Sequence, residues 1–301
     1  MNPTALLSLF AAVQAVNEVP IPQALGSPLD GWSLTDRDPA ALQRMMPLMR
    51  WFYEHYFQVT TDGWERIPTD EAVMFVGSHN GGLPAPDLHM MLYDWCCRFG
   101  VEKPLYGLMS PKIWEVFPSI ARSATKMGAV QAHPKMAIAA LNQGANLVVY
   151  PGGIQDVFRP YYQRHKVYFH QRKGFIKLAI KKSVPIVPMI SCGSHSTFVV
   201  LADIYPQMKV LHEWGMPWVL GVDPEVFPIY LGLPWGLSVG PLPHIPLPTR
   251  IYTRICEPIR FERVGSSALQ DSRYIDKCFE RVRNQMQKAL DQLVRDYKAL
   301  Q

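Results

Sequence analysis

The sequence predicts an α/β fold: a central mixed, mostly parallel sheet flanked by helices, with a helical N-terminal extension and a long C-terminal helix. Short apolar runs typical of buried strands alternate with helical patterns of about ten residues. The apolar fraction of 48% over 301 residues is enough for the core of one large domain or two ordinary ones. Residues 274–300 carry apolar side chains at helical spacing on one side, which predicts the C-terminal helix.

The predicted elements begin with an apolar helix over residues 5–16 and a Pro/Gly-rich linker over residues 19–33. Asp38 suits the N-cap and Pro39 the first position of a helix that continues to Tyr56. The elements expected after it are a strand at 72–76, a helix at 86–99, a strand at 104–109, partly helical chain at 112–124, a strand at 127–131, a helix at 135–142, a strand at 146–150, a helix at 173–182 and a strand at 185–190.

Changes of composition predict three regions. These are an N-terminal helical extension (1–60), an α/β domain (61–265) and a C-terminal helix (266–301). Within the domain, residues 214–248 contain many prolines, three tryptophans and few charges. Because tryptophan favours the membrane interface, we expect this segment to face a membrane; a buried, irregular flap over the sheet is the alternative.

Charge and cysteine usage narrow the function classes. The net charge of +5 suits anionic ligands or a membrane surface and does not indicate a nucleic-acid-binding protein. The five cysteines give no even disulfide framework, which favours a reducing compartment. No segment offers the roughly 20 apolar residues of a spanning helix, so we expect peripheral association with the cytoplasmic side of a membrane.

The stretch after the first predicted strand carries the first candidate for chemistry. The apolar run ends at Gly77 and delivers His79 to the strand tip, where open α/β sheets bind ligands. A neutral imidazole there could take a proton from a hydroxyl, provided that a carboxylate orients its other ring nitrogen. Asp87 is the local candidate for that partner. The alternative is structural: His79 bonds the loop, and Asp87 is an early-turn charge favoured by the helix dipole.

A second strand end carries the sequence Tyr150-Pro-Gly-Gly-Ile-Gln-Asp156. Its two glycines expose backbone N–H groups that could hold an oxyanion or a phosphate, although a simple tight turn is an equal alternative. A basic run follows, in which a solvated face is the alternative to phosphate contacts. Its members are Arg159, Arg164, Lys166, Arg172, Lys173, Lys177, Lys181 and Lys182.

Four segments in order resemble the motif blocks of glycerolipid acyltransferases, the superfamily of lysophospholipid and glycerol-phosphate acyltransferases. They are Ser78–Gly82 with Asp87, Gly128–Gln131, Tyr150–Gly153 and Val184–Pro188. The Pro-Gly-Gly form of the third block is most similar to the mono- and diacylglycerol acyltransferase-like branch.

This resemblance implies transfer of a fatty acyl group from acyl-coenzyme A to the hydroxyl of a glycerolipid or other neutral lipid, without a cofactor or a metal. It implies that His79 is the base and Asp87 its support, and that Pro151, Gly152 and Gly153 contact the acceptor or a phosphate. The expected partners are acyl-coenzyme A, a lipid acceptor and a membrane surface. The full set of predicted substrate-binding residues is Asn80, Gly81, Gly82, Gln131, Pro151, Gly152, Gly153, Gln155, Asp156, Arg164, Lys166 and Lys173.

The sequence departs from the family pattern at three positions. The pattern has four residues between its histidine and aspartate, whereas Asp87 lies eight positions after His79, so Asp156 is a rival partner. Gln131 stands near the place of an arginine that often binds phosphate, and Gly152 stands where many members have glutamate. These changes favour a neutral acceptor over a phosphorylated one.

Three other functions fit parts of the sequence. Ser238 lies in a G-x-S-x-G string typical of serine hydrolases, although prolines follow it where a helix should start. Cys192 and His195 have the spacing of metal ligands, but no second pair completes a tetrahedral set. A non-enzymatic lipid-binding protein would also explain the Trp/Pro-rich segment.

Overall fold

The computed structural model describes residues 28–218 and 221–299, so the helix predicted over 5–16 lies outside the described residues. The helices and strands are α1 (Pro39–Trp51), β1 (Thr60–Asp62), β2 (Met74–Gly77), α2 (Pro86–Phe99), β3 (Leu105–Met109), α3 (Lys112–Val116), α4 (Pro118–Lys126), β4 (Ala129–Gln131), α5 (Pro134–Asn142), β5 (Asn146–Val149), α6 (Gly153–Val157), α7 (Gly174–Lys182), β6 (Ile186–Cys192), β7 (Val199–Asp203), α8 (Tyr205–Glu213), β8 (Pro228–Gly232), β9 (Gly236–Val239), β10 (Tyr252–Ile255), α9 (Ser266–Gln270) and α10 (Ser272–Ala299). A π-helical turn, Phe52–Tyr56, extends α1.

The described chain forms two compact units. The first comprises residues 28–59, 68–75 and 88–149, and the second comprises residues 60–67, 76–87, 150–218 and 221–299. The boundary between them falls inside β2. The three regions expected from composition stay a prediction.

The first unit contains three parallel strands in the order β5-β3-β4. Its apolar core includes Trp95 from α2, whose ring lies edge-on to that of Phe75 with 5.8 Å between the centroids. The Val73 N–H donates to Oδ1 of Asn146 over 3.0 Å, and the Leu147 N–H donates to the Val73 carbonyl over 3.1 Å. A buried asparagine at the start of β5 therefore helps to align the chain that leads into β2.

The second unit contains a mixed sheet and, on it, the long helix α10. Strand β10 pairs in parallel with β1 and antiparallel with β6. The apolar side of α10 is buried as its spacing predicts, and its Phe279 meets the rings of Phe169 and Phe175 at 6.1 Å. This buried apolar stripe explains why the helix forms over 28 residues.

A second, antiparallel sheet in the same unit has the order β7-β8-β9. Strands β8 and β9 lie within residues 214–248, for which the sequence predicts no strands. Val200 and Tyr230 on one face of this sheet, with Phe198 just before β7, form a buried cluster with Val157 and Phe158. Prolines on either side of each short strand hide the two-residue alternation that would reveal it.

The predicted α/β fold class is confirmed. In the first unit, β3 pairs in parallel with both β4 and β5. In the second unit, β10 pairs in parallel with β1 and antiparallel with β6. Helices accompany the strands in each unit, and the chain ends in the predicted long helix. Within the described ranges, no helix combines the length and the apolar character needed to cross a membrane.

Candidate active site

The loop after β2 carries His79 and is held through its backbone. The His79 N–H donates to Oδ2 of Asp156 over 2.6 Å, and the His79 carbonyl accepts from Nη1 of Arg159 over 2.7 Å. The Ser78 hydroxyl donates to the same carboxylate oxygen over 3.1 Å. Because the N–H and carbonyl of His79 are both bound, the half-buried imidazole is attached to a fixed point of the backbone.

Asp156 and Arg159 form a buried ion pair beneath this loop. Their side chains are 0% and 3% exposed, and Nη1 of Arg159 lies 2.6 Å from Oδ1 of Asp156. Burial raises the pKa of Asp156 to about 6, although Arg159, the His79 N–H and the Ser78 hydroxyl all act to lower it. These donors keep Asp156 a carboxylate at neutral pH, and its charge in turn balances that of Arg159.

Asn80 connects this pair to Asp87. The Asn80 carbonyl oxygen accepts from Nη2 of Arg159, while its amide nitrogen donates to the Ser78 carbonyl over 2.8 Å and lies 3.5 Å from Oδ2 of Asp87. Asp87 stands in the first turn of α2 and is 1% exposed. The second unit thus gathers His79 and both candidate carboxylates around one loop. Asp156 binds that loop through the His79 N–H, and which carboxylate serves the ring stays a prediction.

Tyr150 packs against the imidazole. The rings of His79 and Tyr150 are stacked, with centroids 4.5 Å apart and planes inclined by 28°. A Cβ on Gly77 would lie 2.4 Å from Cε1 of Tyr150, so the ring reaches this position only because residue 77 has no side chain. The Tyr150 hydroxyl is buried, and no partner for it lies in the described part of the chain. Burial, then Asp87 and Asp156, raise its pKa well above 10, so it stays protonated.

Gly81 and Gly82 turn the chain away from this loop with φ of 79° and 72°, a conformation that favours glycine. A Cβ on Gly82 would lie 2.2 Å from Cε1 of His244. The His244 ring is buried and stacks on Phe198 with centroids 3.8 Å apart, and its burial lowers its pKa. The loop therefore fits closely onto the core of the second sheet.

The Pro-Gly-Gly segment after β5 leads directly into α6. Pro151 is buried, and a Cβ on Gly152 would lie 2.3 Å from the Cβ of Asp156. Gly153 has a φ of 58°, and Nη1 of Arg172 lies 2.2 Å from the position that its Cβ would take. Arg172 donates to the Gly152 carbonyl over 3.1 Å and to the Gln155 side chain over 3.0 Å. This turn brings Asp156 under the histidine loop.

The remaining predicted residues are placed differently. The guanidinium of Arg164 lies 4.3 Å from the ring of Tyr161, and Lys166 is exposed. Lys173 forms an ion pair of 2.7 Å with Asp276 of α10. Gln131 belongs to the first unit, where its amide donates to the Asp30 carbonyl over 2.7 Å. Contacts of these four residues with a substrate stay predictions.

Comparison with known proteins identifies the family. A family model described as diacylglycerol acyltransferase matches residues 117–300, more than half of the chain. The chain belongs to the diacylglycerol acyltransferase family. The predicted resemblance to glycerolipid acyltransferases is thereby confirmed. The matched residues include Tyr150, Asp156 and Arg159 but begin after His79.

Curated relatives of this diacylglycerol acyltransferase family member include uncharacterized mycobacterial proteins. One from Mycobacterium tuberculosis is 28% identical over 251 residues, which cover 82% of this chain and 65% of the relative. One from Mycobacterium leprae is 25% identical over 251 residues, covering 82% and 63%. The chain therefore spans slightly less than two thirds of these relatives. The crystal structure of the 1-acyl-sn-glycerophosphate acyltransferase PlsC from Thermotoga maritima is similar with a TM-score of 0.48 and 14% identity, over 97% of this chain and 95% of that one.

The other sites suggested by the sequence have different surroundings. Ser238 lies within the antiparallel strand β9, not at the strand-to-helix turn that a hydrolase nucleophile occupies. Nε2 of His195 bonds the Arg159 carbonyl over 2.9 Å, and burial raises the pKa of the Cys192 thiol to about 11. The described residues hold no cluster of three or more His, Cys, Asp or Glu that could bind a metal ion.

The sequence predicted no role at His79 for Arg159 or Tyr150. Tyr150 was named only as the start of the third motif block, and His244 was not named. Arg159 appeared only as one cation of a basic run, and a basic run gives no sign that one member is buried. The available signal was its spacing, because Asp156 and Arg159 stand three positions apart across the end of a short helix.

Proposed function

We propose that this chain transfers a fatty acyl group from an acyl-coenzyme A thioester to the hydroxyl of a neutral lipid, such as an acylglycerol or a long-chain alcohol. Membership of the diacylglycerol acyltransferase family supports the reaction class. The main observation in support of the proposal is that His79 is held in a fixed position. Asp156 and Arg159 bind its N–H and carbonyl, and Tyr150 stacks on its ring.

In the proposed reaction, His79 takes the proton of the acceptor hydroxyl while the hydroxyl oxygen attacks the carbonyl carbon of the thioester. The tetrahedral intermediate collapses with cleavage of the C–S bond, and the proton passes from His79 to the departing thiolate. Backbone N–H groups at Gly81, Gly82 or Gly152 stabilise the oxyanion. The reaction needs no cofactor beyond the acyl-coenzyme A co-substrate.

The charge balance of the site favours a neutral acceptor. Arg159 is buried and faces Asp156 at 2.6 Å, so its charge is already compensated. In the sequence pattern of the family, Gln131 stands near the place of an arginine that often binds phosphate, and an amide offers a phosphate no positive charge. For the donor, the exposed Lys166 and the nearby Arg164 are the proposed contacts of its phosphates, and Lys173 would have to exchange Asp276 for them.

The lipid substrates also imply a location. A lipid acceptor and an acyl chain are held in a bilayer or an apolar groove, so we place the working enzyme on the cytoplasmic side of a membrane as a peripheral protein.

The test is acyl transfer from radiolabelled palmitoyl-coenzyme A to monoacylglycerol, diacylglycerol, lysophosphatidic acid and a long-chain alcohol. Wild type, His79→Ala and His55→Ala are compared, the last being an exposed histidine of the first unit. We expect labelled neutral lipid from wild type and His55→Ala and a loss of about 100-fold or more in His79→Ala. Acylation of lysophosphatidic acid alone would contradict the neutral acceptor. Equal product from all three proteins would contradict the base, and no product from any would favour a lipid-binding protein without activity.

A further inference from the structure

One face of the second sheet is apolar and exposed. Leu231 and Leu237 are cross-strand partners in β8 and β9, as are Ile229 and Val239, so these four side chains share a face. Leu231, Leu237 and Val239 are between 44% and 65% exposed. The intervening Tyr230 is fully buried on the opposite face. The hairpin and the chain that follows extend the exposed surface, and we name the apolar face by its members Leu231, Leu233, Trp235, Leu237, Val239 and Ile245.

The segment that forms this face carries no charged side chain. Residues 226–249 contain no Asp, Glu, Lys or Arg. Protein interfaces are usually enclosed by a polar rim, whereas the acyl region of a bilayer excludes charge. The absence of charge from a segment with large exposed apolar side chains therefore fits a lipid partner.

The polar groups of the hairpin are also suited to an apolar medium. Trp235 donates its indole N–H to the Pro243 carbonyl over 2.7 Å, so the ring can leave water without an unpaired donor. The same segment contains six prolines, which have no backbone N–H to satisfy. They are Pro228, Pro234, Pro241, Pro243, Pro246 and Pro248. Beside Val239, the residues Phe227 and Leu242 contribute to an apolar hollow of about 50 Å³, room for the end of one alkyl chain.

The opposite face of this sheet is joined to the candidate site. Phe198 and Tyr230 pack in one buried cluster with Val157 and Phe158, which directly follow Asp156 in the chain. The segment after β9 places His244 against Gly82 of the histidine loop. Anything that binds the apolar face is thus connected to the site through one close-packed core of the second unit.

We propose that the apolar face docks on a lipid bilayer, with Trp235 and the leucines entering the boundary between headgroups and acyl chains. This inference rests on the proposed function in one respect: docking would bring the site to a lipid acceptor in the membrane. Binding itself depends on the apolar face and on neither His79 nor an acyl donor. A second copy of the chain is the competing occupant of the face.

The test is co-flotation with vesicles of pure phosphatidylcholine in the absence of any acyl donor. We compare wild type and His79→Ala with Leu231→Ser/Leu237→Ser and with the control Ile120→Ser/Val264→Ser, which removes two exposed apolar side chains elsewhere. We expect the first double variant to bind about tenfold or more weakly, because two largely exposed leucines lose their transfer to lipid. The control and His79→Ala should bind as wild type does. Binding should persist in 1 M salt.

Several results would overturn the proposal. They are failure of wild type to bind, equal binding by both double variants, or binding that requires anionic lipid and disappears in salt. Light scattering without vesicles tests the competing occupant, because a wild-type dimer that Leu231→Ser/Leu237→Ser converts to a monomer would assign the face to a second copy. Circular dichroism verifies that each variant is folded. Loss of transfer in His79→Ala, measured separately, concerns the proposed function alone.

Discussion

Replacing Arg159 with methionine removes the positive charge that faces Asp156 within the core of the site. The side chains are 3% and 0% exposed and 2.6 Å apart, so the remaining carboxylate would be a buried charge without a counter-ion. Removing one partner of such a pair typically costs about 3–5 kcal/mol. The carbonyls of His79 and Asp156 also lose their bonds from Nη1, which adds to the cost. We expect the free energy of unfolding to fall by about 3–5 kcal/mol at pH 8.

The loss should depend on pH in a defined direction. Arg159 is the largest influence that lowers the pKa of Asp156, so in the variant this pKa rises above the wild-type value of about 6. Between pH 6 and that higher value, the folded variant binds one more proton than the folded wild type. The stability of the variant relative to wild type therefore decreases as pH rises above 6, and the difference shrinks toward pH 5.

Urea denaturation of both proteins from pH 5 to pH 8 measures this prediction. Arg50→Met is the matched control, because Arg50 pairs with Glu54 on the surface of α1 and the adjoining turn, where we expect the unfolding midpoint to stay unchanged. The double variant Arg159→Met/Asp156→Asn should lose less than the sum of the single changes. A loss below about 1 kcal/mol, or a loss independent of pH, would refute the reasoning that Asp156 depends on Arg159.

Three further predictions use the same geometry. Gly152→Ala places a Cβ 2.3 Å from that of Asp156 and should lower the free energy of unfolding by about 1–3 kcal/mol in denaturation experiments. The control Gly174→Ala, whose Cβ would have nothing within 4 Å, should leave that free energy unchanged or raise it. Equal effects of the two changes would contradict the close approach of Gly152 and Asp156. Gly77→Ala should displace the Tyr150 ring from the histidine and lower the acyl-transfer rate in steady-state assays, and an unchanged rate would show that the stacking is dispensable. The pKa of Asp156 is raised to about 6, so its contribution to stability is complete below about pH 4 and is lost as pH rises through about 6. The stability of wild type minus that of Asp156→Asn should fall by up to about 3 kcal/mol over that range, and a constant difference would exclude the raised pKa.

Local chemistry made several features predictable from the sequence. Asp38 caps α1 as predicted by accepting from the Ala41 N–H over 3.1 Å. The sequence predicted the strand end that carries His79 and the glycine turn after it. Buried strands and left-handed turns each accept few residue types, so both leave a clear pattern. Each of these features is determined by residues that are close together in the sequence.

The features that were not predictable depend on distant residues. His79 and Asp156 are separated by 77 positions, and the sequence offered Asp156 only as a rival partner of the imidazole. It did not indicate that Asp156 accepts from the backbone N–H of His79. Arg159 resembles the solvated cations that follow it, although its burial is decided by the carboxylate and carbonyls around it. The second sheet was missed because a register shift in β7 and the prolines around β8 and β9 disrupt the alternation that marks a strand.

Chemical rescue tests whether His79 is the general base of an acyl transfer. Transfer from labelled palmitoyl-coenzyme A is measured for His79→Ala with and without added imidazole, beside wild type under the same conditions. We expect the variant to lose about 100-fold or more of the rate and imidazole to restore part of that rate in a concentration-dependent way. A variant that transfers acyl groups at the wild-type rate, with no response to imidazole, would contradict this role of His79.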